Sequence, residues 1–203
     1  MKAALYQGKE SVEMTELETP HPEENDIVVK NIYASICGTD VAVYQHGPGT
    51  RHRINVGGEF GHEMVSQVVE VGKNVQDIKV GDRVYPYPRL AKGDTKRAGT
   101  VGGFSEYVLI PDAKWNQQIY AVSDKISDKE ASLIEPFTVG CRAARHSQPK
   151  KGENAVVICR KMSMMLWQLW RVENGILNPL LRMNLHGRTC QRQSKLRRMW
   201  SIR

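Results

Sequence analysis

Three side chains in the first third of the chain could do chemistry together. They are Cys37, in the run Cys37-Gly38-Thr39-Asp40, and the pair His62-Glu63 that follows Gly61. A thiolate, an imidazole and a carboxylate are all zinc ligands, and three protein ligands with one open position is how a catalytic zinc is held. On residue type alone two readings stand. A lone cysteine and a lone His-Glu pair also serve as ordinary structural residues. The three become a metal site only if the fold brings them together.

The elements that would have to do this read as β-rich over the first 120 residues. Strand candidates are Val12–Leu17, Asp26–Ala34 with partly alternating Ile27, Val29, Ile32 and Ala34, then Met64–Val71, Val84-Tyr85 after the turn Val80-Gly81-Asp82-Arg83, and Gly102–Ile110. Glycines and prolines between short strands indicate a compact barrel or sandwich. At Ser127 the pattern changes. Ser127-Asp128-Lys129-Glu130 is a capping box that predicts a helix through about Ile134. Thr138–Ser147 is a second helix. The turn Lys150-Lys151-Gly152-Glu153-Asn154 leads into Ala155-Val156-Val157-Ile158, an unbroken apolar run expected of a buried parallel strand.

Composition narrows the classes. With 40% hydrophobic and 25% charged residues, the 203-residue chain is neither collagenous, nor disordered, nor a disulfide miniature. Cys37, Cys141, Cys159 and Cys190 include no close pair, so neither a disulfide framework nor a C-x-x-C zinc site is expected. The start MKAALYQGKESVEM carries no hydrophobic run behind its lysine, and no apolar stretch approaches the ~20 residues of a membrane helix. A reducing, cytoplasmic setting is the expectation.

The formal net charge of +7 would ordinarily point to nucleic acid or an anionic membrane. Its distribution argues otherwise. Residues 159–203 hold ten Lys/Arg and one acid, Glu173, leaving 19 bases and 21 acids, a net of −2, in residues 1–158. The same 45 residues carry three of the four Trp and five of the eight Met, but two of the 17 Gly. Met162–Val172 is helical by propensity, yet its apolar residues nearly encircle the axis, and Asn178-Pro179 breaks it. No clear strand, turn or amphipathic face emerges from the tail.

Longer motifs then place the three ligand candidates in context. Gly57-Gly58-Glu59-Phe60-Gly61-His62-Glu63, Val71-Gly72-Lys73-Asn74-Val75 and Val80-Gly81-Asp82-Arg83-Val84, in this order after Cys37-Gly38-Thr39-Asp40, resemble the zinc-containing medium-chain alcohol dehydrogenases. Glu135-Pro136 with Val139-Gly140 resembles the sorbitol and threonine dehydrogenase branch. The resemblance covers about residues 1–158.

It implies a mainly β fold: a GroES-like catalytic barrel over 1–126, linking helices and the first Rossmann strand over 127–158, and a basic tail over 159–203. It implies zinc ligands Cys37, His62 and Glu63. Glu135 would lie in the zinc shell, as a ligand or through bound water. Asp40 would orient His62, and Thr39 would pass the substrate's hydroxyl proton outward. The implied reaction is hydride transfer from a secondary alcohol or polyol to NAD or NADP in a homo-oligomer.

Four departures qualify this. Ser66 replaces the usual glycine of the zinc signature, which is mild where the backbone does not need positive φ. Ala42 replaces a histidine that completes the proton relay in many relatives. The segment Tyr85–Gly102 has no cysteine, so one catalytic zinc and no structural zinc are expected. After Ile158 come Cys159-Arg160-Lys161-Met162-Ser163-Met164, without the glycines that let a backbone approach a pyrophosphate. Residues 159–203 therefore read as out-of-frame or disordered sequence, and the chain as a truncated form that does not bind the nicotinamide cofactor. Nucleic-acid or anionic-surface binding through the basic tail is the competing reading.

Overall fold

The computed structural model describes residues 1–48, 54–91, 101–148, 150–161, 164–173, 176–184 and 188–189. His52, His186, Cys190, residues 92–100 of the cysteine-free segment and the last stretch of the tail lie outside them. The chain divides into two compact units, Met1–Gly140 and Cys141–Arg203.

The first unit begins with β1 (Lys2–Gly8), β2 (Ser11–Glu16) and β3 (Ile27–Ser35), followed by helix α1 (Gly38–His46). Next come β4 (Gly58–Glu59), β5 (Glu63–Val71), β6 (Arg83–Pro86), β7 (Tyr107–Ile110) and β8 (Ile119–Ala121). Helix α2 (Asp128–Ala131) follows, and α3 (Ile134–Ser147) carries the chain across the boundary between the units. Two antiparallel sheets result, ordered β2-β1-β4 and β7-β3-β5-β6-β8. The fold is mainly β, as expected. The sheets stay open among the described residues instead of closing into a full barrel.

The larger sheet buries Ile27, Val29, Met64, Val68, Val84, Ile110 and Ile119 in one cluster. Ile27 and Val29 of β3 share a face by strand alternation, as do Met64 and Val68 of β5, while Val28 and Val65 between them are buried as well. Ser127 caps α2 as its spacing predicts. Its Oγ accepts from the Glu130 N–H at 3.3 Å, and Glu130 Oε2 accepts from the Ser127 N–H at 2.9 Å. Arg83 ties this helix to β6, donating from Nε and Nη2 to Asp128 Oδ1 and from Nη1 to the Ser123 and Ile126 carbonyls.

Several boundaries differ from the sequence expectation. The first helix stops at Ala131, and the second starts at Ile134 instead of Thr138. Pro136 falls in the first turn, where a missing N–H forfeits no helical bond. Gly102–Ile110 is a strand only from Tyr107. Gly102 has φ +80°, and the Gly102–Ser105 turn packs against the segment preceding His62. Strands β1 and β8 and helix α1 were not evident in the sequence.

The second unit corrects two further readings. Ala155–Ile158 does lie in a strand, β9 (Asn154–Lys161), but it pairs antiparallel with β10 (Met164–Glu173), not parallel. Of Met162–Val172, the described residues from Met164 on lie in the strand β10 and not in a helix. That strand pairs on its other side with β11 (Ile176–Asn184), which pairs with β12 (Arg188–Thr189). A segment apolar all round offers a helix no face to choose, whereas a central strand satisfies its backbone on both edges. Pro179 sits opposite Trp170, where the register shifts, a position that tolerates a missing N–H.

Candidate metal centre

The β3–β5 register assembles the site. Ser35 pairs with Glu63 and Ala34 with Met64, so the chain leaving β3 toward α1 passes beside the start of β5. Cys37 is the N-cap of α1, two residues beyond Ser35, and His62 lies immediately before β5. Register alone therefore brings the cysteine to the histidine.

Gly61 aims the histidine. Its φ of +90° is left-handed, and a Cβ there would lie 2.7 Å from the Phe104 ring. The Gly103 N–H donates to the Gly61 carbonyl at 2.8 Å and the Phe104 N–H to the Phe60 carbonyl at 2.9 Å. Behind this turn, Asn31 Nδ2 donates to the Gly103 and Ser105 carbonyls, and Ser66 Oγ donates to Asn31 Oδ1 at 2.6 Å. Ser66 is fully buried within β5 and does not adopt positive φ. The hydroxyl in place of the usual glycine thus helps anchor the turn that packs on His62.

The donor atoms of Cys37, His62 and Glu63 lie within 4.8 Å of one another. Zinc binds sulfur, nitrogen and oxygen at about 2.0–2.3 Å, so donors on one tetrahedral ion stand about 3–4 Å apart, and a shift of about 1 Å brings this set onto one ion. Asp40 makes two bonds at once. Oδ2 accepts the Cys37 N–H at 2.9 Å, capping α1, and Oδ1 lies 3.3 Å from His62 Nδ1. That contact directs the other ring nitrogen, Nε2, toward the ligand set, the usual geometry of a carboxylate behind a metal-binding histidine. Thr39 Oγ1 lies 3.5 Å from Nε2. Glu63 is held by Ser35 Oγ, which donates to Oε2 at 2.6 Å and also approaches the Ser132 carbonyl at 3.2 Å.

Burial is graded across the group. Asp40, His62 and Glu63 are buried, Cys37 is half-buried and Thr39 exposed, so the cluster opens on the Cys37–Thr39 side. Desolvation pulls the His62 pKa down, but the hydrogen bonds and charges of Asp40 and Cys37 outweigh it and lift the imidazole to about 10. Glu135 stands outside the group of three. Its carboxyl is half-buried in the first turn of α3, and its pKa is raised by burial, opposed by His62 and reinforced by Glu63 and Asp40. It is within electrostatic reach of the centre. Ala42, at the missing relay position, is half-buried on α1. His21, His46 and His146 are exposed, as is Cys141. Ser35 was not foreseen, and only its place two residues before Cys37 could have signalled it.

Comparison with known proteins bears on this geometry. The alcohol dehydrogenase GroES-like domain family matches residues 23–120. (R,R)-butanediol dehydrogenase of Bacillus subtilis is 32% identical over 180 residues, covering 77% of this chain and 50% of that protein. The chain belongs to the zinc-type medium-chain alcohol dehydrogenase family. The family relationship extends to L-threonine 3-dehydrogenase of the same organism, 31% identical over 183 residues, covering 81% of this chain and 51% of that one. A crystal structure of 2R,3R-butanediol dehydrogenase from Bacillus subtilis aligns with a TM-score of 0.62 at 30% identity, over 75% of this chain and 49% of its own. The chain spans about half the length of the curated relatives it matches. No helix among the described residues is long and apolar enough to cross a membrane.

Proposed function

We propose that residues 1–140 form the zinc and alcohol half of a medium-chain dehydrogenase, acting on a secondary alcohol or polyol. The observation that carries this reading is the convergence of Cys37, His62 and Glu63 within 4.8 Å, with Asp40 on the far nitrogen of His62. Those three residues would hold the ion, and the half-exposed Cys37 side leaves a route for a ligand. Bound zinc supplies Lewis acidity, which lowers the pKa of an alcohol oxygen and makes the alkoxide a better hydride donor.

The residues divide the remaining work. Asp40 fixes the His62 ring and keeps Nε2 facing the ion. Ser35 fixes Glu63. Thr39, exposed and beside Nε2, is placed to accept the alcohol's proton and pass it to solvent. Ala42 has no group to extend that relay, so the proton leaves from Thr39 directly. Glu135, in the first turn of α3, would complete the zinc shell, as a ligand or through water. We assign one catalytic ion and no structural zinc.

Hydride transfer also needs a nicotinamide, NAD or NADP in this family. A pyrophosphate site needs a strand, a glycine turn and a helix N-terminus. Among the described residues β9 pairs antiparallel with β10, and no helix follows β9.

Metal analysis tests the first half of the proposal. The chain is expected to bind about one zinc, and Cys37→Ala and His62→Ala to lose it. Equal zinc content in wild type and Cys37→Ala would refute the site. The second half predicts no NAD(P)H formation from alcohols or polyols by the 203-residue chain, and measurable turnover would overturn it.

A further inference from the structure

Tyr85 is a buried group with no place in the scheme above. It lies on β6 opposite Tyr120 of β8 and is only 2% exposed. Its ring is enclosed by Val65, Val122 and Ala131, with Ile134 packed against the same cluster. Among the described residues, its hydroxyl has no hydrogen-bond partner. A buried, unpaired hydroxyl is an unfavourable arrangement that phenylalanine would avoid in the same space.

The surroundings say what the hydroxyl is for. The charged groups acting on it are, in order, Glu135 and Glu63, with Tyr87 and Tyr120 between them. Glu63 already accepts from Ser35. Glu135 directly follows Ile134, the residue packed on the tyrosine cluster, and no hydrogen bond or ion pair among the described residues fixes its carboxylate. A buried donor without an acceptor thus lies within electrostatic reach of a half-buried carboxylate that holds no hydrogen bond among the described residues. Burial, then the charge of Glu135, holds the phenol well above its usual range, so it enters any contact as the donor.

We propose that the Tyr85 hydroxyl is a positioning group of the metal centre, the fixed donor that receives the Glu135 carboxylate when a cation is held by Cys37, His62 and Glu63. The proposal rests on the metal-centre reading. In the metal-free chain the donor is unpaired. Drawing Glu135 inward toward the ion pairs it, so metal binding and the Tyr85–Glu135 contact reinforce each other.

The test uses zinc alone, on the full chain, as wild type, Tyr85→Phe, Glu135→Ala and the double variant. Zinc affinity is measured by chelator competition, and melting with and without zinc. Metal-free Tyr85→Phe is expected to melt no lower than wild type, because it loses only an orphan hydroxyl. Its zinc affinity should fall about tenfold, the size of effect typical of groups that orient metal ligands. That loss should vanish in the Glu135→Ala background, which has no acceptor at this position. Wild-type zinc affinity in Tyr85→Phe, or the same loss with Glu135→Ala present, would overturn the proposal. So would a lower metal-free melting point with unchanged zinc affinity, the mark of a packing role. Cys37→Ala separates the two levels. If it binds zinc as wild type does, the metal-centre reading fails and Tyr85 fails with it. If it does not, while Tyr85→Phe matches wild type, only the Tyr85 assignment is lost.

Discussion

Asp40 does two jobs with one carboxylate, and substitution there separates this centre from a chance cluster. Asp40→Asn keeps the size and weakens both the α1 cap and the hold on His62. We expect zinc affinity to fall about 10- to 100-fold, as when other groups behind a metal-binding histidine are removed, checked by chelator competition. The imidazole itself gives a pH signature. Its pKa rises from 6.5 in the unfolded chain to about 10 in the metal-free fold. Protonated His62 therefore stabilises the metal-free fold fully below pH 6.5, and that contribution is lost as pH rises through about 10. Zinc must displace this proton, with the Cys37 thiol proton in addition, so its affinity should climb at least about tenfold per pH unit between those limits. A flat affinity profile from pH 6.5 to 9 would contradict the assignment of His62 as a ligand.

At the scale of elements, register and backbone conformation place the proposed ligands. Gly61→Ala forces a side chain into left-handed backbone against the Phe104 ring, and should cost at least about 1–3 kcal/mol by denaturant unfolding. Arg83→Lys keeps the charge but loses the planar set of donors that reaches Asp128 and two carbonyls. It should cost about 1–2 kcal/mol, where an unpartnered surface arginine would cost almost nothing.

Much of this layer was legible in the sequence. The capping box at Ser127 reported its helix, and the apolar alternation in 26–34 and 64–71 reported β3 and β5. Their register, which brings Cys37 to His62, is a long-range pairing that no local pattern encodes. Helix α1 was illegible for a related reason. It lacks a strong apolar stripe and owes its start to Asp40 capping Cys37, a bond visible only once both ends are placed. Tyr85 read as one more strand residue, because an unpaired hydroxyl shows only in three dimensions.

The whole molecule carries a division that its composition already marked. The mildly acidic body of residues 1–158 contains the centre, and the excess of positive charge belongs to residues 159–203. The tail's backbone answered differently from its sequence. Apolar residues spaced for neither helix nor strand became the middle strand of an antiparallel sheet, because pairing on two edges overrode propensity. Family membership, 32% identity to a butanediol dehydrogenase and the Cys37-His62-Glu63 group support the proposed zinc-assisted alcohol chemistry. Zinc removal should therefore be felt globally: chelation is expected to lower the melting temperature of the wild type and leave Cys37→Ala unchanged, read by calorimetry.

X-ray absorption at the zinc edge of the loaded chain is the most direct measurement of the central claim. One sulfur at about 2.3 Å, with nitrogen and oxygen ligands at about 2.0–2.2 Å, is predicted for the wild type, with Cys37→Ala retaining no zinc that gives this sulfur signal. A spectrum without sulfur, or one that Cys37→Ala leaves unchanged, would contradict it.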